Sequence, residues 1–219
     1  MSNTSKLEEI EFAENPEPRC ACVLLLDTSG SMQGSRITAL NDGLRVFRDS
    51  LMKDSLASRR VEVAVVTFDS TVNLIQDFVT VDQFQPPVLA AGGSTMMGAG
   101  LERALDIVTE RKRSYKASGV AYYRPWIFMI TDGAPTDAYA PAAQRIRKEE
   151  EAKGVAFFAV GVEEADMGRL REISVRAPAQ LASLNFAELF VWLSASMQKI
   201  AESKPGDQAA LPPAGWVSV

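Results

Sequence analysis

A doubly wound α/β domain is predicted by three observations: a mostly parallel, Rossmann-like sheet covered on both faces, with one short antiparallel edge strand. Strand-like apolar runs alternate with stretches whose apolar residues recur every three or four positions. The strands, WIFMI at 126–130 above all, are apolar throughout, which marks strands buried on both faces. Two of them, ending at Phe68 and resuming at Thr71, lie too close for a crossover helix and must form an antiparallel hairpin at one sheet edge.

Taken in order, 19–26 reads as the first strand. Ile37, Leu40, Leu44, Phe47 and Leu51 then mark one face of a helix. A strand follows at 61–68, a turn at Asp69 and Ser70, and a short third strand at 71–76. Pro-Pro and Gly-Gly pairs make 85–93 a loop. A helix is expected over 95–113 with Leu101, Leu105 and Val108 inward, a strand over 125–131, and a helix over about 139–153. A strand at 155–161, a short helix near 166–174, a weak strand around 180–181 and a last helix near 186–203 complete the pattern. The expected division is a polar N-terminal segment at 1–17, the domain at 18–203, and a Pro/Gly-rich tail at 204–219. In that tail Trp216 either belongs to a loose end or anchors the segment in a groove of this domain or of a partner.

The chain's 219 residues suffice for one full core, and no apolar run approaches the roughly 20 residues a bilayer span needs. The first 18 residues are polar and acidic, so no secretory signal is expected. A net charge of −5 argues against nucleic acid, and the basic run Arg111, Lys112, Arg113 reads as a solvated helix end. Cys20 and Cys22, two apart on a strand, point to one face, a geometry for packing rather than a disulfide. The absence of histidine removes Ser-His-Asp and Cys-His catalysis, His-based zinc sites and His proton shuttles.

Ligands in doubly wound sheets bind beyond the carboxyl ends of the strands. Three loops lie there, and all carry oxygen donors: Asp27, Ser29 and Ser31 after the first strand; Ser94 and Thr95 after Gly92 and Gly93; Asp132 within TDGAPTD at 131–137. Singly, each has a local explanation, the hydroxyls as helix caps and Asp132-Gly133 as a turn dipeptide. Together, two carboxylates and three hydroxyls at one edge point to a hard cation, because unpaired carboxylates placed close together repel. Such donors suit Mg²⁺, with Mn²⁺ or Ca²⁺ also admissible.

The D-x-S-x-S of Asp27, Ser29 and Ser31, Thr95 within GGST, and TDG at 131–133 resemble the von Willebrand factor A (vWA) domain, in which they form the metal-ion-dependent adhesion site (MIDAS). The resemblance spans about 18–203. It implies a six-stranded sheet with the third strand antiparallel, hydroxyls of Ser29, Ser31 and Thr95 on Mg²⁺, and Asp27 and Asp132 binding directly or through water. TDGAPTD and the Pro-rich end with its tryptophan resemble the TerY-like proteins, cytoplasmic stand-alone A domains of bacterial tellurite-resistance and stress systems, some encoded beside a kinase and a PPM-type phosphatase. This resemblance implies a cytoplasmic location.

The resulting expectation is a non-enzymatic protein-binding module in which a partner's Asp or Glu completes the ion's coordination. Met32, Gln33, Met96, Met97, Ala134, Pro135 and Tyr139 are candidates for its rim. Two alternatives stand beside it. A purely structural metal would stiffen the loops without a partner. A Mg²⁺-dependent phosphohydrolase of the aspartyl-phosphate kind would use Asp27 as nucleophile, yet the second acid such enzymes need two residues on is here Ser29. Hydrolysis by a metal-activated water would instead need a base, for which Asp137 is the candidate. No phosphate-binding G-x-x-x-x-G-K-[ST] or G-x-G-x-x-G is present.

Overall fold

A computed structural model describes residue 12 and residues 14–217; the rest of the expected segment 1–17, and positions 218 and 219, lie outside the described residues. Every residue of β1 (Cys20–Asp27) is buried. Cys20, Cys22, Leu24 and Leu26 enter one core layer and Ala21, Val23 and Leu25 the other, as the two-residue period of a strand requires. The same double burial holds for β2 (Val61–Phe68), β4 (Trp126–Thr131) and nearly all of β5 (Ala156–Val162). With β3 (Val72–Thr80) and β6 (Ala179–Leu181) they form one six-stranded sheet in the order β3-β2-β1-β4-β5-β6, parallel except for β3.

On one face lie α1 (Ser35–Met52), the four-residue α2 (Ala57–Arg60) and α6 (Phe186–Glu202). Leu40, Leu44 and Phe47 meet Phe186, Phe190 and Leu193 there, and the rings of Phe47 and Phe190 stand 5.7 Å apart. On the other face lie α3 (Met97–Ala117), α4 (Ala140–Glu151) and α5 (Met167–Ile173), burying Leu101, Leu105, Val108, Ile146 and Leu170. Cys20 and Cys22 are free, buried and on one face, as packing residues.

Four details differ from the expectations. The basic run at 111–113 is not a solvated helix end: α3 continues to Ala117, and Arg111 is buried against Glu62, its Nε donating to Glu62 Oε2 at 2.8 Å. β3 continues to Thr80 instead of stopping at Gln76, because β2 offers ladder partners as far as Glu62, opposite Thr80. α3 starts at Met97, since Thr95 exchanges hydrogen bonds with Thr136 of another loop: its N–H donates to Thr136 Oγ1 at 3.1 Å and its carbonyl accepts Thr136 N–H at 2.9 Å. The helix α2 was not anticipated; Asp54 Oδ1 starts it by accepting the N–H groups of Leu56 and Ala57, both at 2.9 Å.

The tail folds back along the β6 edge. Trp216 is 3% exposed, Leu181 and Val217 form an antiparallel bridge, and Trp192 Nε1 donates to the Pro212 carbonyl at 2.8 Å. Among the described residues no helix is long and apolar enough to cross a membrane. From β1 the strand order runs outward in two directions, so the crevice between the tips of β1 and β4 is the topological switch point.

Candidate metal centre

The tips of β1 and β4 are adjacent, with Leu26 paired to Ile130, so Asp27 emerges beside Thr131. Asp27 is fully buried. Its Oδ1 accepts the Ser29 N–H at 2.8 Å and its Oδ2 accepts the Thr131 hydroxyl at 2.5 Å. Burial pushes the Asp27 carboxyl above the usual carboxylate range; the hydrogen bonds from Ser29 and Thr131 act the other way, and the charge of Asp132 adds to the rise.

Beyond Asp27 the chain makes a 3-10 turn (Gly30–Met32) that brings the Ser29 and Ser31 hydroxyls to 3.0 Å from one another. Ser31 Oγ donates to Asp132 Oδ1 at 2.6 Å, so the first and third loops are joined directly. The second loop is held by backbone: Gly30 N–H donates to the Gly93 carbonyl at 3.0 Å and Gly92 N–H to the Thr28 carbonyl at 2.8 Å. Gly93 has φ +82°, and a Cβ there would lie 2.4 Å from Ser70 Oγ, so only glycine serves. Ser70 Oγ in turn accepts the Ser94 N–H at 2.9 Å.

Asp27, Ser29, Ser31, Thr95 and Asp132 thus lie on three neighbouring, mutually braced loops. None of the three hydroxyls caps a helix: the residues preceding the 3-10 turn, α1 and α3 are Ser29, Gly34 and Met96, and none makes a side-chain cap. Thr95 Oγ1 has no hydrogen-bond partner among the described residues. A Cβ on Gly133 would stand 3.2 Å from Thr95 Oγ1 and 3.5 Å from Asp27 Oδ2, so the missing side chain leaves a cradle between these two oxygens. Two carboxylates, three hydroxyls and a small open cradle fit a hard divalent cation. Among the described residues no group of three or more His, Cys, Asp or Glu is placed to hold a metal, so hydroxyls would make up most of this donor set.

The rim is narrower than the sequence suggests. Met32 and Met97 are fully buried in opposite core layers, whereas Gln33 and Ala134 are exposed and Met96, Pro135 and Tyr139 half-buried. Asp137 is not free to act as a base, because both its oxygens accept N–H groups at the start of α3.

Two residues of the site escaped the sequence. Arg36 Nη1 donates to Asp132 Oδ2 and to the Ser31 carbonyl, both at 2.8 Å, while its Nε donates to Glu163 Oε2 at 2.5 Å. One signal for Arg36 was available. A cation in the first turn of a helix opposes the helix dipole and calls for an anionic partner. Glu163, far along the chain, carried no local signal. A cleft of ≈ 860 Å³ lies at the opposite end of the sheet, where Arg124 donates to the carbonyls of Glu150 at 3.0 Å and Val155 at 2.7 Å.

A family model described as von Willebrand factor type A domain matches residues 22–188. Mouse matrilin-3 is 28% identical over 154 residues, which are 68% of this chain and 31% of matrilin-3. Among solved structures, proximal thread matrix protein 1 from the mussel byssus, with a zinc-occupied MIDAS motif, aligns with a TM-score of 0.58 at 18% identity over 83% of this chain and 48% of that chain. The open conformation of the pilus adhesin SpaC from Lactobacillus rhamnosus GG aligns with a TM-score of 0.64 at 15% identity, over 83% and 30% of the respective chains. At such identities the structural likeness speaks for the fold alone. The chain spans about a third of matrilin-3 and less than half of either structural relative.

Proposed function

The chain belongs to the von Willebrand factor type A domain family, and from that premise we propose a non-enzymatic protein-binding module with Mg²⁺ held by Asp27, Ser29, Ser31, Thr95 and Asp132. Domains of this family typically mediate protein–protein interaction. The observation that supports the proposal is a set of three hydroxyls on two loops, none capping a helix, with Thr95 Oγ1 and Asp27 Oδ2 flanking the Gly133 cradle and Ser31 joining Ser29 to Asp132. Residues 18–203 form the functional unit in this proposal, and 204–219 is a tail held by Trp216.

When bound, the ion supplies a positive centre with an open position for a carboxylate oxygen. The chain's own residues do the rest. Asp27, locked by Ser29 and Thr131, keeps the base of the site rigid. Ser31, exposed and bonded to Asp132, stands at the mouth. Gln33, Ala134 and the half-buried Met96, Pro135 and Tyr139 face an incoming partner, and an Asp or Glu of that partner is the ligand. Mg²⁺ suits the all-oxygen set, with Mn²⁺ or Ca²⁺ as substitutes. Zinc, which the mussel protein carries, is the competitor to test.

TDGAPTD and the tryptophan-bearing tail support a TerY-like role within a cytoplasmic stress or tellurite-resistance system. A kinase or PPM-type phosphatase is then the first partner to try.

Calorimetric titration with MgCl₂ tests the site: wild type binds, and Thr95→Ala loses binding while its melting temperature in EDTA is unchanged. Unfolding of both Thr95→Ala and Asp27→Ala would assign these residues to the core instead. A purified partner retained only in Mg²⁺, and released by a free acidic peptide, supports recognition; metal binding without such a partner leaves a structural ion. Hydrolysis of a phosphoester by wild type but not by Asp27→Ala would replace the proposal with an enzyme.

A further inference from the structure

Asp132 is a carboxylate with a side chain 1% exposed, and it shares the site with a second buried carboxylate, Asp27. With no cation at hand this arrangement is costly, because each charge has lost its water and the two repel. The chain carries its own answer. Arg36 places Nη1 2.8 Å from Asp132 Oδ2, the oxygen that Ser31 leaves open, and the same nitrogen donates to the Ser31 carbonyl at 2.8 Å. Its Nε and Nη2 both stand 2.5 Å from Glu163 Oε2.

Glu163 occupies this place under backbone strain. Its φ is +47°, in the left-handed region that disfavours a side chain, and its carbonyl is pinned by Gln180 Nε2 at 2.7 Å. The start of the β5–α5 loop would be easier for glycine, so the side chain is what the position supplies. The Arg36 guanidinium is therefore held between two carboxylates, one in the candidate metal site and one outside it.

We propose that Arg36 is a resident cation that neutralises Asp132 in the absence of a divalent ion, and that Glu163 sets how strongly it opposes that ion. This rests on the metal reading of the site. A monovalent guanidinium beside Asp132 repels a dication and competes for its ligand. Glu163 offsets the guanidinium's charge and offers it a second anchor. The two residues form one ion pair, yet their removal changes the site's charge in opposite senses.

The experiment is titration of MgCl₂ into wild type, Arg36→Gln and Glu163→Gln, with thermal melting of each in EDTA. Arg36→Gln tightens Mg²⁺ binding about tenfold, the scale of one unit charge acting on a dication a few ångströms away through a nearly aqueous dielectric. Glu163→Gln weakens it about threefold by the same reasoning. In EDTA, Arg36→Gln melts below wild type. A purely structural ion pair would move both affinities in the same direction, and that result, or no change in either, overturns the inference. Arg36→Lys keeps the charge without the forked geometry and retains the wild-type affinity; a tightening equal to that of Arg36→Gln also overturns it. If Arg36→Gln does not fold in EDTA, Arg36→Lys and Glu163→Gln decide. Wild type that binds no Mg²⁺ defeats the metal reading and this inference together, whereas binding lost in Thr95→Ala but untouched in Arg36→Gln defeats this inference alone.

Discussion

The carboxylate of Asp137 accepts the backbone N–H of Gly98 at 2.9 Å, and its other oxygen accepts that of Ala99 at 2.8 Å, so a residue after β4 caps the helix that follows the second site loop. α3 has no side-chain cap of its own at Met96. Asp137→Ala is expected to lower stability by about 1–2 kcal/mol, the usual cost of a lost cap with its charge–dipole contribution. Urea denaturation measures it. Because α3 begins just after Thr95, the same variant weakens Mg²⁺ binding; a loss below about 0.5 kcal/mol would make the cap immaterial.

Trp216 packs edge-on against Trp192 with ring centres 5.5 Å apart, and its carbonyl accepts the Ala182 N–H at 3.0 Å. Its indole Nε1 is buried with no hydrogen-bond partner among the described residues. Trp216→Ala therefore loses about 3 kcal/mol through the cavity, whereas Trp216→Phe keeps most of the packing and discards the orphaned donor, costing under about 1.5 kcal/mol. Equal losses in thermal unfolding would show that packing is not what anchors the tail.

Glu62 is fully buried and accepts Arg19 Nε at 2.8 Å, Arg111 Nε at 2.8 Å and the Tyr115 hydroxyl, while the Phe12 ring lies 5.4 Å from the Arg19 guanidinium and 5.0 Å from that of Arg111. Removing one partner leaves buried charge uncompensated. Glu62→Gln is expected to destabilise by about 3–5 kcal/mol in guanidinium titration, while binding at the far end of the sheet is retained under folded conditions.

Burial pushes the Cys20 thiol up to about 12, with the nearby charge of Glu62 adding to the rise, and pushes Cys22 higher still. Both resist thiol reagents in the native state and react once the chain is denatured. Since the folded values lie above the unfolded one, the unfolded thiols ionise first. The stability the thiols contribute is thus complete below pH ~9 and is lost as pH rises toward 12, each group adding a slope of at most about 1.4 kcal/mol per pH unit. Rapid native labelling at pH 8 would contradict the burial.

Elements that rest on period and apolarity were legible. Leu24 and Leu25 face opposite layers because a strand alternates, and Leu40, Leu44, Phe47 and Leu51 share a face because a helix repeats. Ends were less legible. Whether Asp77 continues a strand depends on β2 lying alongside, and whether Thr95 starts a helix depends on Thr136, more than forty residues away. α2 is too short to show a period.

What the sequence determined by itself is local in origin: the parallel α/β architecture, the antiparallel hairpin, and oxygen donors clustered at strand ends, with Asp27, Ser29 and Ser31 within one turn of chain. Tertiary structure alone decided which charges share that edge. The β1–β4 pairing sets Thr131 on Asp27, a left-handed turn after β5 presents Glu163, and Arg36 lies between Glu163 and Asp132. The physical reason is range. Periodicity and turn chemistry act over a few residues along the chain, whereas hydrogen bonding and charge act over a few ångströms in space, and only the folded sheet brings positions 36, 132 and 163 that close.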